Sequence, residues 1–189
     1  DSLLRRRVLD LSDVLRGVAL SSVWDASDAV CGAQIAGAVA LGFGGVKGFQ
    51  TGQLFTMARG PVVGAQVSGA VAIAWSEVQG AQLASGVAFA RSILGVQMAP
   101  LSIASGSVEG AQLGLLEIAG SVKGAQIGLV NVSTGDVDGA QLGLVNVAAG
   151  RVGTMVGLVN VAEYAEVPLG LLSILTKGRT HILASGNEL

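Results

Sequence analysis

The sequence predicts an all-β protein, a single-domain β-solenoid of about ten coils with a repeat of roughly 13–16 positions per coil, capped by a short N-terminal amphipathic helix. Three observations predict this class. A short motif recurs along most of the chain, its period is too short for a repeat of two helices, and glycine and small aliphatic residues dominate it. Glycine permits sharp turns and close backbone packing, and Val and Ile favour strands.

Composition excludes several classes of protein. The chain has 189 residues, of which 51% are hydrophobic and 13% are charged, so it is not a solvated disordered chain. Lys and Arg number 11 against 13 Asp and Glu, which leaves no basic surplus for nucleic-acid phosphates. The 29 glycines follow no Gly-X-Y period, which excludes collagen.

Residues that could carry chemistry are few. Cys31 is the single cysteine and His181 the single histidine, so neither an internal disulfide nor a Cys/His zinc cluster can form. A catalytic triad would have to use His181, which lies in a weakly patterned stretch. We therefore expect a protein that is not an enzyme, with no catalytic, cofactor-binding or metal-binding residues.

Residues 1–29 are predicted to form an N-terminal helix and cap. Over residues 3–19 apolar residues recur at helical spacing, and the charged residues lie largely on the opposite face. The apolar positions are Leu4, Val8, Leu11, Leu15, Val18 and Ala19. We expect this helix to cover the first coil, because solenoid ends expose unpaired strand edges. Contact of residues 5–7, three arginines, with a membrane surface is the alternative.

Residues 30–175 are predicted to form the solenoid. The motif reads GAQLGLVNV at residues 139–147 and GAQIGLVNV at 124–132, and a degenerate copy ends the array near residue 175. Copies begin at Gly32, Gly48, Gly64, Gly80, Gly95, Gly110, Gly124, Gly139 and Gly153. The early copies carry one extra residue after the glutamine, as Gly37 and Gly69 show. The array therefore divides into looser coils (residues 30–94) and tighter coils (residues 95–175), and we expect a change of coil shape near residues 90–95.

The shape of one coil stays open at this point. Apolar residues fall five apart at Val137, Leu142, Val147 and Val152, which suits a three-sided coil with about five residues on each side. A flattened two-sided coil fits almost as well. Because neighbouring strands lie about 4.8 Å apart, ten coils would give a rod roughly 45–50 Å long.

Two ladders of identical amides are predicted. One motif position is occupied by Gln34, Gln50, Gln66, Gln82, Gln97, Gln112, Gln126 and Gln141, and another by Asn131, Asn146 and Asn160, with Ser102 and Ser173 as variants. Stacked amides can hydrogen-bond from coil to coil, at a corner or inside. We interpret both ladders as structural, and a regular array that binds a surface or a polysaccharide is the alternative.

The outer surface is predicted to have a charged stripe and an apolar ladder. Charged residues from Lys47 to Arg151 fall in the turns just outside the motif, and within the motif copies of residues 95–161 only Glu117 is charged. An outward apolar ladder is expected at Leu115, Leu129, Leu144 and Leu158. This ladder is the candidate interaction face, because a rod that exposes it should seek a partner.

Residues 176–189 are predicted to form a C-terminal cap or a junction to a further segment. Residues 176–184 have the pattern of a turn and a final strand.

The motif copies at residues 110–118, 124–132, 139–147 and 153–161 resemble a bacterial surface and outer-membrane repeat family. Its units read approximately G-[LAV]-Q-[ILV]-G-L-[VIL]-N-x-[AS]. The resemblance covers residues 32–175, is close over 110–162 and is looser before residue 95. It implies a protein of the bacterial cell envelope, in the outer membrane or at the cell surface, and it implies no catalytic residues.

The leading hypothesis is a non-enzymatic structural or interaction module of a bacterial cell envelope. The rod would present its Gln and Asn ladders and its apolar ladder to a protein partner or to a second copy, and it would bind no nucleic acid. The resemblance implies association with the outer membrane.

Two other hypotheses remain. The chain could be a Gly/Ala-rich integral membrane protein of packed helices, because residues 30–46 and 60–76 carry no charge, although a span needs about 20 residues. It could also be a carbohydrate-active enzyme on a β-helix, with Asp136 and Asp138 as the close acidic pair. A solvated or capping role on a turn suits these two aspartates better.

Overall fold

The computed structural model of the chain describes residues 14–177 and 181–182. These residues form an all-β solenoid of about 11 turns, which confirms the predicted fold class. The strands are β1 (Val14–Ser21), β2 (Trp24–Ser27), β3 (Ala29–Ala36), β4 (Val39–Gly42), β5 (Val46–Gly52), β6 (Phe55–Ala58), β7 (Val62–Ser68), β8 (Val71–Ala84), β9 (Val87–Ile127), β10 (Val130–Ser133), β11 (Val137–Leu142), β12 (Val145–Ala148), β13 (Arg151–Val156), β14 (Val159–Ala162), β15 (Tyr164–Leu169), β16 (Leu172–Leu175) and β17 (His181–Ile182).

Each coil contributes one strand to each of two faces. Face A contains β1, β3, β5, β7, the second part of β8, β11, β13 and β15, and face B contains β2, β4, β6, the first part of β8, β10, β12, β14 and β16. The long strand β9 runs through both faces over several coils. Pairing between coils is parallel and joins like residues, as Gln34 with Gln50 and Asn131 with Asn146 show. The stacking of like on like that the repeat predicts is therefore present.

Coil length varies along the rod, as the separation of paired residues shows. In the looser coils Gln66 pairs with Gln50, at a sequence separation of 16. In the tighter coils the separation is 15 between Gln141 and Gln126. It falls to 13 between Asn160 and Ser173, near the C-terminal end. The coils joined at Gln50 and Gln66 are thus longer than those nearer the C-terminal end of the rod.

The core is narrow, and half of its inward positions are polar. In one tighter coil the buried side chains are those of Val137, Gln141, Asn146 and Ala148, whereas Leu142 is 37% exposed. The predicted inward spacing of five is therefore wrong at Leu142 and also at Val147, which points outward on face B. Side chains of a strand alternate between its two sides, so Gln141 inside places Leu142 outside.

The first glycine of the motif has a structural role that no other residue can fill. From Gly32 to Gly139 the eight copies have φ between 124° and 146°, a conformation that L side chains rarely adopt. A Cβ at Gly124 would also overlap the carbonyl oxygen of Gly110 in the preceding coil. This glycine permits the close approach of successive coils.

The N-terminal helix is not found in the described residues. Residues 14–19 of the predicted helix belong to strand β1, which pairs in parallel with β3 and places Gly17 opposite Gly32. Residues 3–13 lie outside the described residues. The prediction is wrong for residues 14–19 because β1 has the exposed backbone of the next coil as a hydrogen-bonding partner, and this pairing outweighs a helical pattern of apolar residues.

The uncharged stretches of the helical-membrane hypothesis are strands. Residues 30–46 extend from β3 to the start of β5, and residues 60–76 contain β7 and part of β8. Among residues 14–177 and 181–182, no helix has the length and apolar character needed to cross a membrane. The packed-helix alternative is therefore not supported.

At the C-terminal end of the rod, the direction of pairing changes. Strand β17 pairs antiparallel with β16, with His181 opposite Ser173 and Ile182 opposite Leu172. The last face B strand thus has a partner of opposite direction on its outer side.

Candidate functional site: buried amide ladders and an apolar surface

The glutamine ladder is a continuous chain of hydrogen bonds inside the rod. The Nε2 of each glutamine from Gln50 to Gln141 donates to Oε1 of the glutamine in the preceding coil, at 2.7–3.0 Å. All eight side chains are fully buried. A buried amide is costly unless it is hydrogen-bonded, and here its neighbours in the stack supply the bonds.

A second donor bond ties each glutamine to face B of its own coil. Gln82 donates to the carbonyl oxygen of Phe89, seven residues later, and Gln126 donates to that of Val132, six residues later. All eight glutamines make such a bond, at 2.9–3.3 Å. The ladder therefore links face A to face B in every coil that contains one of these glutamines, whether the coil is long or short.

The asparagine ladder runs in the opposite direction. Nδ2 of Asn131 donates to Oδ1 of Asn146, and Nδ2 of Asn146 donates to Oδ1 of Asn160, both at 2.8 Å. Each Nδ2 also donates to a backbone carbonyl in the following coil, such as Leu142 for Asn131, at 2.9 Å. Asn160 contacts Ser173 at 3.4 Å, so the ladder ends on the predicted serine variant.

The glycine two positions after the glutamine makes room for this ladder. A Cβ at Gly143 would lie 2.7 Å from Nδ2 of Asn131, and one at Gly157 would lie 2.6 Å from Nδ2 of Asn146. Glycine at this position and asparagine on face B therefore depend on each other.

Because both ladders are buried, they cannot contact a partner. Every ladder residue is 0% exposed, as are Ser102 and Ser173. Their structural interpretation agrees with this placement, whereas the hypothesis that the rod presents them to a partner is wrong. Within the described chain, the surface available to a partner is made of other residues.

Glu117 occupies the asparagine position in the preceding coil. It pairs in register with Asn131 and is 0% exposed, and its two carboxyl oxygens and Oδ1 of Asn131 have no hydrogen-bond partner among the described residues. Burial raises the pKa of Glu117 to about 7 from its ordinary value of 4.5. Sequence reasoning gave this residue no role, although it noted that Glu117 is the only charged residue in the motif copies of residues 95–161.

The predicted apolar ladder is exposed as expected. Leu115 is 54% exposed, and Leu129, Leu144 and Leu158 are 48–49% exposed. They lie where each tighter coil passes from face A to face B, which we call the apolar edge. Leu171 continues the row at 61% exposure.

The outward side of face B is apolar along its whole described length, which sequence reasoning did not predict. Two columns of side chains point outward, and their strands show alternating half-buried and buried residues. One column is Val39, Phe55, Val71, Val87, Leu101, Leu116, Val130, Val145, Val159 and Leu172, and the other is Leu41, Met57, Ile73, Phe89, Ile103, Ile118, Val132, Val147, Val161 and Ile174. Face B and the apolar edge together form one surface, which we call the apolar surface.

An apolar groove interrupts this surface where the looser coils meet the tighter ones. It has a volume of about 570 Å³ and is lined by Ala84, Ser85, Met98, Ala99, Pro100, Leu113, Gly114 and Leu115. The turn at Ser85 belongs to a longer coil than the turn at Pro100, so the edge steps inward here. Such a recess suits an apolar side chain of a partner.

Charged residues gather where each coil passes from face B to the next strand of face A, which we call the charged edge. Its charges pair from coil to coil. Nζ of Lys123 lies 3.2 Å from Oε1 of Glu109, and Lys177 pairs with Glu163. Arg151 stacks on the ring of Tyr164 with its guanidinium 5.3 Å from the ring centre.

The acidic pair of the enzyme hypothesis, Asp136 and Asp138, lies on the charged edge, and Asp136 bonds to the backbone. Oδ1 of Asp136 accepts a hydrogen bond of 2.8 Å from the amide of Arg151, which supports a turn-capping role. In the described part of the chain, no three His, Cys, Asp or Glu side chains lie close enough together to hold a metal ion.

Comparison of the chain with protein-family models, with curated proteins and with solved structures finds no match.

Proposed function

We propose that the protein is a non-enzymatic structural rod that packs through its apolar surface against a second copy of itself. The observation that carries this proposal is the apolar surface, which continues from Val39 to Ile174 and lies away from the charged edge. An apolar patch of this extent on a folded chain marks an interaction site, because its exposure to water is unfavourable.

The size of the surface suits a stable dimer. Ten coils at about 4.8 Å and strands about 15 Å wide give roughly 700 Å² for each copy, or about 1,400 Å² in total. Specific protein interfaces commonly bury about 1,200–2,000 Å².

Its periodicity favours a second copy. Outward side chains recur at the spacing of β-strands, and only a partner with the same spacing can interdigitate with them along the whole rod. A copy of this chain has that spacing. The groove beside Pro100 would accept an outward aliphatic side chain of the other rod.

The charges disfavour a lipid surface as the occupant. Lipid-binding surfaces typically have basic residues beside their apolar side chains, to bind anionic headgroups. Here the charged edge carries both signs, and Lys123 is paired with Glu109.

We further propose that the rod works in a bacterial cell envelope. This part rests on the resemblance of residues 110–162 to envelope repeats. Its test is fractionation of the source cells, in which recovery of the protein from the cytoplasm alone would contradict it.

The test of self-association replaces two exposed edge leucines with charge. The double variant Leu129→Lys/Leu144→Lys should sediment as a monomer, whereas the wild-type chain should sediment as a dimer or larger species in analytical ultracentrifugation. Both leucines are nearly half exposed, so the fold should persist, with circular dichroism as the check. A reducing buffer prevents cross-linking through Cys31, which is exposed.

A matched control adds the same charge to the opposite edge. Thr134→Lys/Ala149→Lys changes exposed turn residues of the same two coils on the charged edge and should leave self-association unchanged. A monomeric wild type, or equal behaviour of the two double variants, would contradict the proposal. Flotation of a monomeric wild type with phosphatidylglycerol vesicles would instead identify lipid as the occupant.

A further inference from the structure

The hydrogen bonds of the asparagine ladder all run in one direction, and Oδ1 of its first residue, Asn131, lacks a donor. Each amide from Asn131 onward donates toward the next coil, so Oδ1 of Asn146 and Oδ1 of Asn160 each accept from the coil before. Asn131 donates hydrogen bonds through its Nδ2, but its Oδ1 accepts none from the described residues. Its Nδ2 already bonds to the carbonyl oxygen of Leu142 and to Asn146, which leaves Oδ1 on the side of Glu117.

Glu117 cannot satisfy that oxygen as a carboxylate. Its Oε1, its Oε2 and Oδ1 of Asn131 are all acceptors, all buried, and none has a partner within the described coils. These acceptors belong to residues paired in register on adjacent coils, and they lack the donors that burial requires. A single proton on Glu117 turns one of them into a donor.

We propose that Glu117 is a buried proton-binding residue, and that its neutral carboxylic acid begins the asparagine ladder by donating its O–H to Oδ1 of Asn131. The proton comes from solvent and returns to it when the acid ionises. In this form Glu117 donates toward the next coil, as every asparagine of the ladder does.

The surroundings of Glu117 supply no compensating charge. The other buried polar residues of its own and the adjacent coils do not ionise; they are Gln97, Ser102, Gln112, Gln126, Asn131 and Ser133. The charged residues of the same part of the rod, Glu109 and Lys123, are exposed on the charged edge and pair with each other. Desolvation therefore dominates, and burial raises the pKa of Glu117 to about 7.

The glycines on either side show that the site is shaped for this longer side chain. A Cβ at Gly128 would overlap Oε2 of Glu117, and one at Gly114 would lie 2.9 Å from Oε1. The carboxyl group therefore lies directly against two glycine α-carbons.

The consequence is that the stability of the coil that contains Glu117 depends on pH. The folded state holds a proton that the unfolded state has lost, so the stability from protonation is complete below about pH 4.5 and is lost as pH rises to about 7. Over this window the opening equilibrium of the coil that contains Glu117 should rise about tenfold for each pH unit.

The test measures the proton directly. Carbon-13 NMR of the Glu117 carboxyl in the full chain should give a midpoint near pH 7, and hydrogen exchange should show protection of residues 111–133 falling between pH 5 and pH 7. The variant Glu117→Gln keeps a permanent donor and should remove this pH dependence. Every other ionisable group is the same in both proteins, so the difference between them isolates Glu117.

Two further variants keep the result interpretable. Glu117→Asn restores the residue that the next three coils use, and it should behave as Glu117→Gln does. Glu109→Gln removes an exposed carboxylate nearby and should leave the pH dependence unchanged. A Glu117 midpoint below pH 5, or the same pH dependence in Glu117→Gln as in the wild type, would overturn the proposal.

Discussion

The looser and tighter coils fill the same narrow core with different side chains. Two positions after the glutamine, the looser coils have Ala36, Gly52, Ser68 and Ala84, whereas the tighter coils have glycine there from Gly114 onward. From Asn131 onward, asparagine extends from face B into the space beside that glycine.

The difference in coil length explains why the core residues of the looser and tighter coils differ. Gln82 reaches the carbonyl of residue 89, and Gln126 reaches that of residue 132, one position closer along the chain. With one residue fewer at the apolar edge, the face B strand begins one position sooner after the glutamine. The face B residue that points into the core is then also one position closer to the glutamine in the sequence. The glutamine ladder therefore forms in coils of either length, whereas the asparagine ladder forms only in coils with the shorter turn at the apolar edge.

The largest effect should come from adding one methyl group to a tighter coil. Gly143→Ala places a Cβ 2.5 Å from the carbonyl oxygen of Gly128 and 2.7 Å from Nδ2 of Asn131. We expect a loss of at least about 4 kcal/mol in the free energy of unfolding by urea, because the backbone of the preceding coil cannot move away.

The matched change in a looser coil is Ala84→Gly, at the same position relative to the glutamine. It should cost only about 1 kcal/mol, from lost burial and added backbone freedom. Equal costs at the two sites would contradict the interdependence of glycine and asparagine.

A smaller effect should separate the two kinds of polar residue on face B. Asn146→Ala leaves Oδ1 of Asn160 without its donor and removes one of the two hydrogen bonds to the carbonyl oxygen of Val156, so it should cost about 3 kcal/mol in urea unfolding.

Thr56→Ala is its counterpart in the looser coils. The hydroxyl of Thr56 is buried and has no partner in the described residues, and alanines lie at the paired positions on both sides, Ala40 and Ala72. Its removal should change stability by no more than about 1 kcal/mol, because a lost methyl group offsets a relieved hydroxyl. A cost near that of Asn146→Ala would show that the looser coils also depend on polar contacts here.

The smallest effect should come from the charged edge. Lys123→Ala breaks the ion pair with Glu109, and the two side chains are 69% and 48% exposed. We expect a loss below about 1 kcal/mol that disappears in high salt. A larger loss that salt does not reduce would mean that the charged edge, and not only the core, holds the coils together.

Much of the architecture could be predicted from the sequence because each coil repeats the one before. Identical residues at Gln112, Gln126 and Gln141 require like-on-like stacking, and charges restricted to the turns indicate one polar edge. The first coil was missed, because the motif is reduced to a single glycine at Gly17, opposite Gly32.

The outward direction of the leucine ladder could be predicted, whereas the direction of the side chains within the strands could not. The hydrophobic pattern placed Leu142 inside, but the strand turns Gln141 inward and leaves Leu142 outside. A pattern of apolar residues indicates the core only when buried polar groups are few, and here the stacked amides satisfy one another.

The sequence by itself determined the repeat, its period and the alignment of like residues, because these depend only on which residues recur. The tertiary structure alone decided that the amide ladders are fully buried and that the valines of face B point outward. It also decided that the two ladders donate in opposite directions and that Glu117 heads one of them. Those properties arise only when one coil lies on the next, since each amide finds its partner a whole winding away in the chain.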